Sequence, residues 1–158
     1  MSILVTGYRG LLGKALTGLL ADGGHFWLPY PYRLEEPIPA SPMGCELAFL
    51  CAGTKGFAEC EGNRAAFRAD VDGNIRLARH LLHSGTFVVF VSTDAVEVAA
   101  GAAYARNRLL VELAIGGEPN CAIFRPGRFG PENVIAPAKE LARVGLERRA
   151  GLTRWPDL

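Results

Sequence analysis

Three glycines spaced three residues apart, Gly7, Gly10 and Gly13, follow an apolar run at residues 3–5. Gly7 allows a tight turn off a strand, Gly10 lets the backbone approach phosphate groups, and Gly13 lets the next helix pack closely. An amphipathic helix from Leu11 to Leu20 would then direct its unpaired N–H groups and the positive end of its dipole at an anion. The pattern predicts a site for a dinucleotide pyrophosphate, with a purely structural strand-to-helix turn as the alternative.

Segments with strand and helix character alternate along the chain. The predicted strands are Ser2–Thr6, His25–Leu28, Glu46–Cys51, Thr86–Ser92 and Cys121–Arg125. The predicted helices are Leu11–Asp22, Asn63–His83, Ala102–Ile115 and Ala138–Arg149. This alternation predicts an α/β fold, a doubly wound parallel sheet of the Rossmann type in three α/β/α layers. We expect residues 1–158 to form a single dinucleotide-binding domain of this type.

Two other segments bear on the fold. Five prolines lie between Pro29 and Gly44, and proline is excluded from helix interiors and central strands, so this connection is predicted to be irregular. A glycine inside a helix costs about 1 kcal/mol relative to alanine, so Gly73 in the second predicted helix indicates close packing against a neighbour.

Composition narrows the class of protein. With 158 residues and a formal net charge of +1, the chain has no general affinity for nucleic acid or acidic membranes. The four cysteines lack metal-ligand spacing, so we expect reduced thiols and no metal site. The sequence shows no signal peptide and no apolar run of ~20 residues that would span a membrane. A cytoplasmic location is therefore expected.

Four motifs in order resemble one family, the extended short-chain dehydrogenase/reductase superfamily. They are the N-terminal strand with its glycine turn, Phe49–Thr54, Val89–Val96 and Phe124–Asn133. The Ser-Thr-Asp-x-Val ending of the third is typical of the NAD(P)-dependent sugar-nucleotide reductases and epimerases, in particular the dTDP-4-dehydrorhamnose reductase branch. Members of that branch continue into a substrate-binding lobe, so the resemblance implies an abbreviated form. In it the lobe is reduced or missing, and residues from about 135 to 158 are its remnant.

The resemblance also implies a catalytic group. Tyr104 and Arg108 have the spacing of the family's tyrosine and lysine, which places them on one helix face. By this analogy Tyr104 donates a proton to a carbonyl oxygen while hydride arrives from the nicotinamide, and Thr93 polarises that carbonyl. Arg108 keeps the positive charge but is not interchangeable with lysine.

The cofactor expected from the resemblance is NADP(H), with NAD(H) as the alternative. Arg9 and Arg33 favour a cofactor phosphate, and no acidic side chain directly ends the second strand. The predicted cofactor-binding residues are Gly7, Tyr8, Arg9, Gly10, Leu11, Leu12, Gly13, Arg33, Cys51, Ala52, Gly53, Ser92 and Pro126.

The substrate-binding residues implied by the resemblance are Asp94, Arg128 and Asn133, with Arg125 as an alternative phosphate ligand. Asp70 lies where the family usually has asparagine, and a carboxylate only accepts hydrogen bonds. A basic tail (Arg143, Arg148, Arg149, Arg154) is either a diphosphate site or a solvated helix face.

The sequence therefore predicts an NADP(H)-dependent oxidoreductase or epimerase-like enzyme acting on a sugar nucleotide. One alternative is a non-catalytic dinucleotide- or sugar-nucleotide-binding module or partner subunit, favoured by Arg108 and Asp70. Another is a reductase of non-sugar carbonyl compounds. The family's mode of association implies a homodimer through the helices Asn63–His83 and Ala102–Ile115.

Overall fold

Five parallel strands form one sheet in the order β2-β1-β3-β4-β5. The computed structural model describes residues 1–39, 44–54 and 56–150. The strands are β1 (Ile3–Thr6), β2 (Trp27–Pro29), β3 (Leu47–Leu50), β4 (Phe87–Val91) and β5 (Cys121–Phe124). The strand order reverses between β1 and β3, which confirms the doubly wound sheet and puts its switch point beside the glycine turn.

The helices cover both faces of this sheet. They are α1 (Leu11–Asp22), α2 (Arg64–Phe67), α3 (Asn74–His83), α4 (Ala95–Val98), α5 (Ala103–Ile115) and α6 (Ile135–Arg149). A π-helical segment, Arg68–Gly73, joins α2 to α3. None of the helices in the described part of the chain combines the length and apolar character that a membrane span needs.

Alternate side chains of the strands supply two separate cores. Ile3, Phe49 and Val89 pack with α1 and α6 on one face. Leu50 and Phe90 pack with α3 and α5 on the other. The strand β4 is buried at every position, as its continuous apolar run predicts for a parallel strand covered on both faces. The predicted three-layer α/β/α architecture is confirmed.

The edge strand β2 lies two residues later at its start than the sequence predicted. Its ladder pairs Ile3 with Trp27 and Val5 with Pro29, instead of beginning at His25. The Tyr30 amide donates to the carbonyl oxygen of Val5, so the flanking amides face β1 and the missing N–H of Pro29 lies on the open edge. Proline is tolerated on that side of an edge strand.

Two helices also differ from their predicted form. The single helix predicted over Asn63–His83 is interrupted by the π-helical segment. The last helix begins at Ile135 rather than Ala138. Pro137 falls within its first turn, where amide groups have no partner inside the helix, so a proline there removes no hydrogen bond.

The proline-rich connection is irregular, as predicted, over its described residues 30–39, whereas Pro42 lies outside the described residues. This part of the connection packs against the π-helical segment. A Cβ on Gly73 would overlap the carbonyl oxygen of Leu34 and would lie 2.8 Å from its Cβ. The Arg76 guanidinium donates to the carbonyl oxygens of Leu34 and Glu36 at 2.8 and 2.9 Å. The close packing predicted at Gly73 is therefore confirmed, and its neighbour is this connection.

We expect Gly73→Ala to destabilise the protein by about 1–3 kcal/mol, because the new methyl group meets backbone atoms that cannot move aside. Gly18→Ala is the matched control, since Gly18 lies in α1 with no neighbour within 4 Å of its Cβ position. That change should stabilise the protein by about 0.5–1 kcal/mol through helix propensity. Urea unfolding of both variants measures the difference, and equal effects would contradict the packing described for Gly73.

Candidate functional site

The turn between β1 and α1 is built from close backbone contacts. Gly7 has a φ of +64°, a conformation that favours glycine. The Gly10 amide donates to the Gly7 carbonyl oxygen at 2.9 Å. A Cβ on Gly13 would overlap that same oxygen. Positive φ therefore requires glycine at the first of these positions, and helix-to-turn contact requires it at the third.

The N-terminus of α1 has amide groups to offer a ligand. Its N-cap residue, Gly10, makes no side-chain hydrogen bond, and the first turn carries no acidic residue. The amide of Lys14 donates to the Gly10 carbonyl oxygen at 2.8 Å. Within the described structure the preceding amides of Leu11, Leu12 and Gly13 have no acceptor. They form the kind of site that binds phosphate.

The other side chains of the turn have distinct surroundings. Leu12 is buried in the core, whereas Leu11 is partly exposed. The Arg9 guanidinium lies over the ring of Tyr8, 5.4 Å from its centroid. Tyr8 in turn contacts Trp27 of β2. Arg9 is exposed. Its contact with Tyr8 holds it at the end of the sheet where β1 and β2 lie side by side.

The carboxyl end of β3 lies directly against this turn. A Cβ on Gly7 would be 2.7 Å from the Ala52 nitrogen. The Ala52 amide donates to the Thr6 hydroxyl at 3.0 Å, and the Asn74 side chain donates to the Ala52 carbonyl oxygen at 3.4 Å. Cys51, Ala52 and Gly53 thus form the second wall of the switch point.

Asp70 fixes the next residue of that wall. It is 1% exposed, and its carboxylate accepts the Thr54 amide at 2.8 Å and the Cys60 thiol at 3.8 Å. Both partners are donors, so a carboxylate suits this position. Asn74, one helical turn later, has its side-chain oxygen buried without a partner in the described structure.

The polar residues after β4 are mostly engaged with each other. The Thr93 hydroxyl accepts the Ala95 amide at 3.2 Å and donates to Asp94 at 3.4 Å. The Ser92 hydroxyl is buried and lacks a partner within the described residues. Asp94 is exposed, and its amide donates to the Pro126 carbonyl oxygen at 3.4 Å. Thr93 therefore holds the start of α4 in this state of the protein.

Tyr104 and Arg108 lie on one face of α5, as their spacing predicts. The Arg108 guanidinium is centred 5.7 Å from the Tyr104 ring and 5.7 Å from the Phe90 ring. It donates to the Val91 carbonyl oxygen at 3.3 Å. A Cβ on Gly53 would overlap it, so the guanidinium approaches Gly53 closely and only glycine leaves room for it there.

Arg108 is a buried cation with little compensation. It is 6% exposed, and no carboxylate lies within ion-pair distance of it among residues 1–39, 44–54 and 56–150. An arginine offers five N–H donors, and one carbonyl oxygen uses a single one of them. The remaining donors border Gly53, at the wall that ends β3. The Tyr104 hydroxyl makes no hydrogen bond within the same described ranges.

The arginines predicted near the phosphates differ in how closely carboxylates pair with their guanidinium groups. Arg125 binds Glu112 through two nitrogens and Glu97 through a third, which raises the pKa of its guanidinium. Arg128 is exposed, and Arg33 is exposed with Glu35 at 3.8 Å. The Asn133 side chain accepts the Gly130 amide at 2.7 Å, so it closes a local turn.

Two arginines of the basic tail have carboxylate partners. Arg143 binds Glu140 and Glu147, and Arg149 binds Glu46 at 3.3 Å. Arg154 lies outside the described residues. Their helix, α6, packs on α1 and β3: a Cβ on Gly145 would overlap the Phe49 ring.

Contacts between neighbouring segments gather most of the predicted site residues at the carboxyl edge of the sheet. The glycine turn contacts Ala52, Gly53 contacts Arg108, and Asp94 contacts Pro126. Arg33 and Asn133 share none of these contacts. Three further residues contact this region although the sequence did not predict them as site residues: Thr6, Asn74 and Cys60. The one available signal was the Thr6 hydroxyl, directly before the first glycine, because the contacts of the other two arise from the fold.

No family model and no curated protein matches the sequence. Solved structures match its fold. A dTDP-4-dehydrorhamnose reductase from Clostridium acetobutylicum aligns with a TM-score of 0.70 at 22% identity, over 79% of this chain and 52% of its own. A short-chain dehydrogenase/reductase superfamily protein from Agrobacterium tumefaciens with bound NAD aligns with a TM-score of 0.67 at 18% identity, over 79% of this chain and 48% of its own.

A third match is dTDP-4-dehydrorhamnose reductase from Bacillus anthracis in complex with NADP. It has a TM-score of 0.68 at 17% identity, over 82% of this chain and 55% of its own. The chain therefore has the Rossmann-type fold of short-chain dehydrogenase/reductase structures. It shares that fold with dTDP-4-dehydrorhamnose reductases in particular, and it spans about half their length.

The four cysteines are poor nucleophiles. Burial raises the pKa of Cys51 to about 12, although Arg108 opposes that shift. Burial also raises the pKa of Cys121 to about 12, and it raises the pKa values of Cys45 and Cys60. A raised pKa keeps a thiol protonated, so all four stay uncharged at neutral pH. All four are free thiols, as expected.

We expect Cys51 to alkylate far more slowly in the folded protein than in urea. A pKa raised by about three units reduces the reactive thiolate about a thousandfold at pH 8. Iodoacetamide labelling followed by peptide mass spectrometry measures both rates, and the solvent-exposed thiol of a short peptide gives the reference. Equal rates in the native and unfolded chains would contradict the burial of this thiol.

Proposed function

We propose that the chain binds NADP(H), with NAD(H) as the alternative cofactor, through the glycine turn and the end of β3. The observation that carries the proposal is the set of free amides at Leu11, Leu12 and Gly13, which face the switch point of the sheet. Ligands of open α/β sheets bind at that place. The matched structures with bound NAD and NADP have the same fold.

The remaining cofactor residues are assigned as part of this proposal. Gly53, with Cys51 and Ala52, lines the wall below the ribose and pyrophosphate, while Ser92 and Pro126 border the nicotinamide. Tyr8, Arg9 and Arg33 bind the adenosine end. Arg9 and Arg33 are both exposed, and Arg33 lies 3.8 Å from Glu35. We infer that these two cations bind a 2′-phosphate, which makes NADP(H) the preferred cofactor.

We infer that the reaction is carbonyl reduction on a sugar nucleotide, or the related epimerisation. Tyr104 donates the proton, Thr93 polarises the carbonyl, and Arg108 replaces lysine beside them. The cofactor supplies the hydride. Asp94, Arg128 and Asn133 are the proposed substrate contacts. The chain as a whole is proposed to be one cytoplasmic NAD(P)-binding domain, with residues 135–158 as the remnant of a substrate-binding region.

In this proposal the role of Arg108 differs from that of the lysine that the family has at this position. The Arg108 guanidinium lies over the Tyr104 ring and in close contact with Gly53. The unused N–H donors are available to ribose hydroxyls or to an anionic group of the substrate.

A non-catalytic nucleotide-binding module is the second candidate function. The Thr93 hydroxyl is already occupied by Ala95 and Asp94, which favours this alternative. For catalysis the hydroxyl must exchange the Asp94 contact for the substrate carbonyl. The two candidates share the cofactor site and differ in turnover.

Cofactor binding is tested by titrating the protein with NADPH and NADH, following nicotinamide fluorescence and heat. We expect NADPH to bind more tightly than NADH, and Gly13→Ala to weaken binding at least about tenfold because its methyl group displaces the Gly7 carbonyl. Gly18→Ala, on the exposed side of the same helix, should bind as the unchanged protein does. Absence of binding of both cofactors at millimolar concentration would overturn the proposal.

Turnover separates the two candidates once binding is established. With NADPH and a 4-keto sugar nucleotide, Tyr104→Phe should lower kcat about a hundredfold or more while leaving the NADPH affinity unchanged. Cofactor binding without turnover, over a panel of such substrates, would favour the non-catalytic module.

A homodimer through the outer faces of α2, α3 and α5 is also proposed. Leu113 on α5 is 74% exposed, and Phe67 at the end of α2 is 40% exposed. Leu113→Asp should shift sedimentation toward the monomer, because it places a charge in an apolar interface. Val98→Asp is the control, since Val98 is also open to solvent, at 86% exposed on α4. A monomer at all concentrations would refute this association.

A further inference from the structure

The segment after the third strand covers the proposed proton donor. We call residues 56–63 the cover segment. Its Phe57 ring contacts the Tyr104 ring, with 5.1 Å between centroids and 49° between planes. This lies within the range in which aromatic pairs attract each other. Phe57 is 46% exposed, so this apolar side chain lies at the protein surface while it contacts Tyr104.

One fastening of the cover segment is on helix α5 itself. The Glu61 carboxylate accepts the Ala103 amide at 2.8 Å, across 42 residues of sequence. Ala103 is the first residue of α5 and directly precedes Tyr104. The N-cap residue Ala102 provides no side-chain hydrogen bond. Glu61 therefore supplies the missing cap, and its charge is favourable at the N-terminus of a helix.

A second fastening is on the π-helical segment. The Cys60 thiol is 3% exposed and donates to the Asp70 carboxylate, 3.8 Å away. Asp70 also accepts the Thr54 amide, so it joins the end of the β3 wall to the cover segment. A hydroxyl or amide at Asp70 would offer fewer acceptor sites to these two donors.

The backbone of the cover segment is shaped for this path. Gly56 has a φ of +82° and Gly62 a φ of +63°, so both ends turn through conformations that favour glycine. The Asn63 side chain then caps α2 by accepting the Ala66 amide, and its side-chain NH₂ group donates to the Glu59 carbonyl oxygen. The segment is thus held by hydrogen bonds at its Asn63 end as well as at its two fastenings.

The Tyr104 ring consequently has two neighbours. Phe57 contacts one part of the ring, and the Arg108 guanidinium lies 5.7 Å from its centroid. An unsupported tyrosine near the start of a helix would exchange between rotamers. The two contacts restrict the ring to one orientation without using its hydroxyl.

We propose that Phe57, fastened by Glu61 and Cys60, is a positioning residue that holds the Tyr104 ring in its orientation toward the site. The consequence for catalysis rests on the proposed function, whereas the structural part stands apart from it. Phe57 acts through Tyr104 and does not take part in proton transfer. Its removal should leave cofactor binding unchanged.

Tyrosine nitration tests the structural part without any substrate. Tetranitromethane treatment followed by peptide mass spectrometry gives the rate at Tyr104 relative to Tyr32, which is 44% exposed and serves as the internal reference. Phe57→Ala and Glu61→Ala should each raise the relative rate several-fold, and Phe57→Leu should restore most of the protection. Phe26→Ala, at a 65% exposed phenylalanine before β2, is the matched control and should have no effect.

Turnover tests the catalytic consequence. With NADPH and a 4-keto sugar nucleotide, Phe57→Ala should lower kcat about tenfold at unchanged NADPH affinity, and Phe57→Leu should recover most of it. Unchanged nitration in both Phe57→Ala and Glu61→Ala would overturn the proposal. If the unchanged protein has no turnover, the proposed function fails, and nitration alone still decides whether Phe57 positions Tyr104.

Discussion

The approach of two backbones at the switch point is the constraint on which the rest of the site depends. Gly7 lies so close to Ala52 that no other residue has room there, and the Thr6 hydroxyl joins the two strands through the Ala52 amide. Because β1 and β3 meet in this way, the free amides of α1 and the wall after β3 face the same space. A side chain at Gly7 would separate them and remove the site.

Buried charge is the second constraint, and it acts on the same wall. The Asp70 carboxylate accepts the Thr54 amide, while the Arg108 guanidinium lies in close contact with Gly53. Burying an isolated charge costs several kcal/mol, so opposite charges in one interior favour each other even without direct contact. The Cys60 thiol is affected by both: the carboxylate raises its pKa and the guanidinium lowers it. The chain at Gly53 and Thr54, between the carboxylate of Asp70 and the guanidinium of Arg108, is therefore held electrostatically as well as by hydrogen bonds.

The sequence predicted the sheet well because parallel strands covered on both faces must be apolar throughout, as β4 is. It predicted the glycine turn because the local backbone conformation there requires glycine. It did not predict the π-helical segment, whose apolar spacing is close to that of an α-helix. It also did not predict the Glu61 cap, since a contact across 42 residues leaves no local pattern. Arg125 shows the same limit: its carboxylate partners belong to α4 and α5.

The position of Arg108 follows from what surrounds it rather than from its spacing to Tyr104. A lysine there would end in a compact ammonium group, which needs three acceptors around one point. The surroundings offer instead open space beside Gly53, one carbonyl oxygen at Val91 and two aromatic faces. A planar guanidinium is suited to them, because it stacks on aromatic rings and is weakly hydrated. Arginine and its surroundings are thus matched, and the space that the guanidinium occupies depends on residue 53 being glycine.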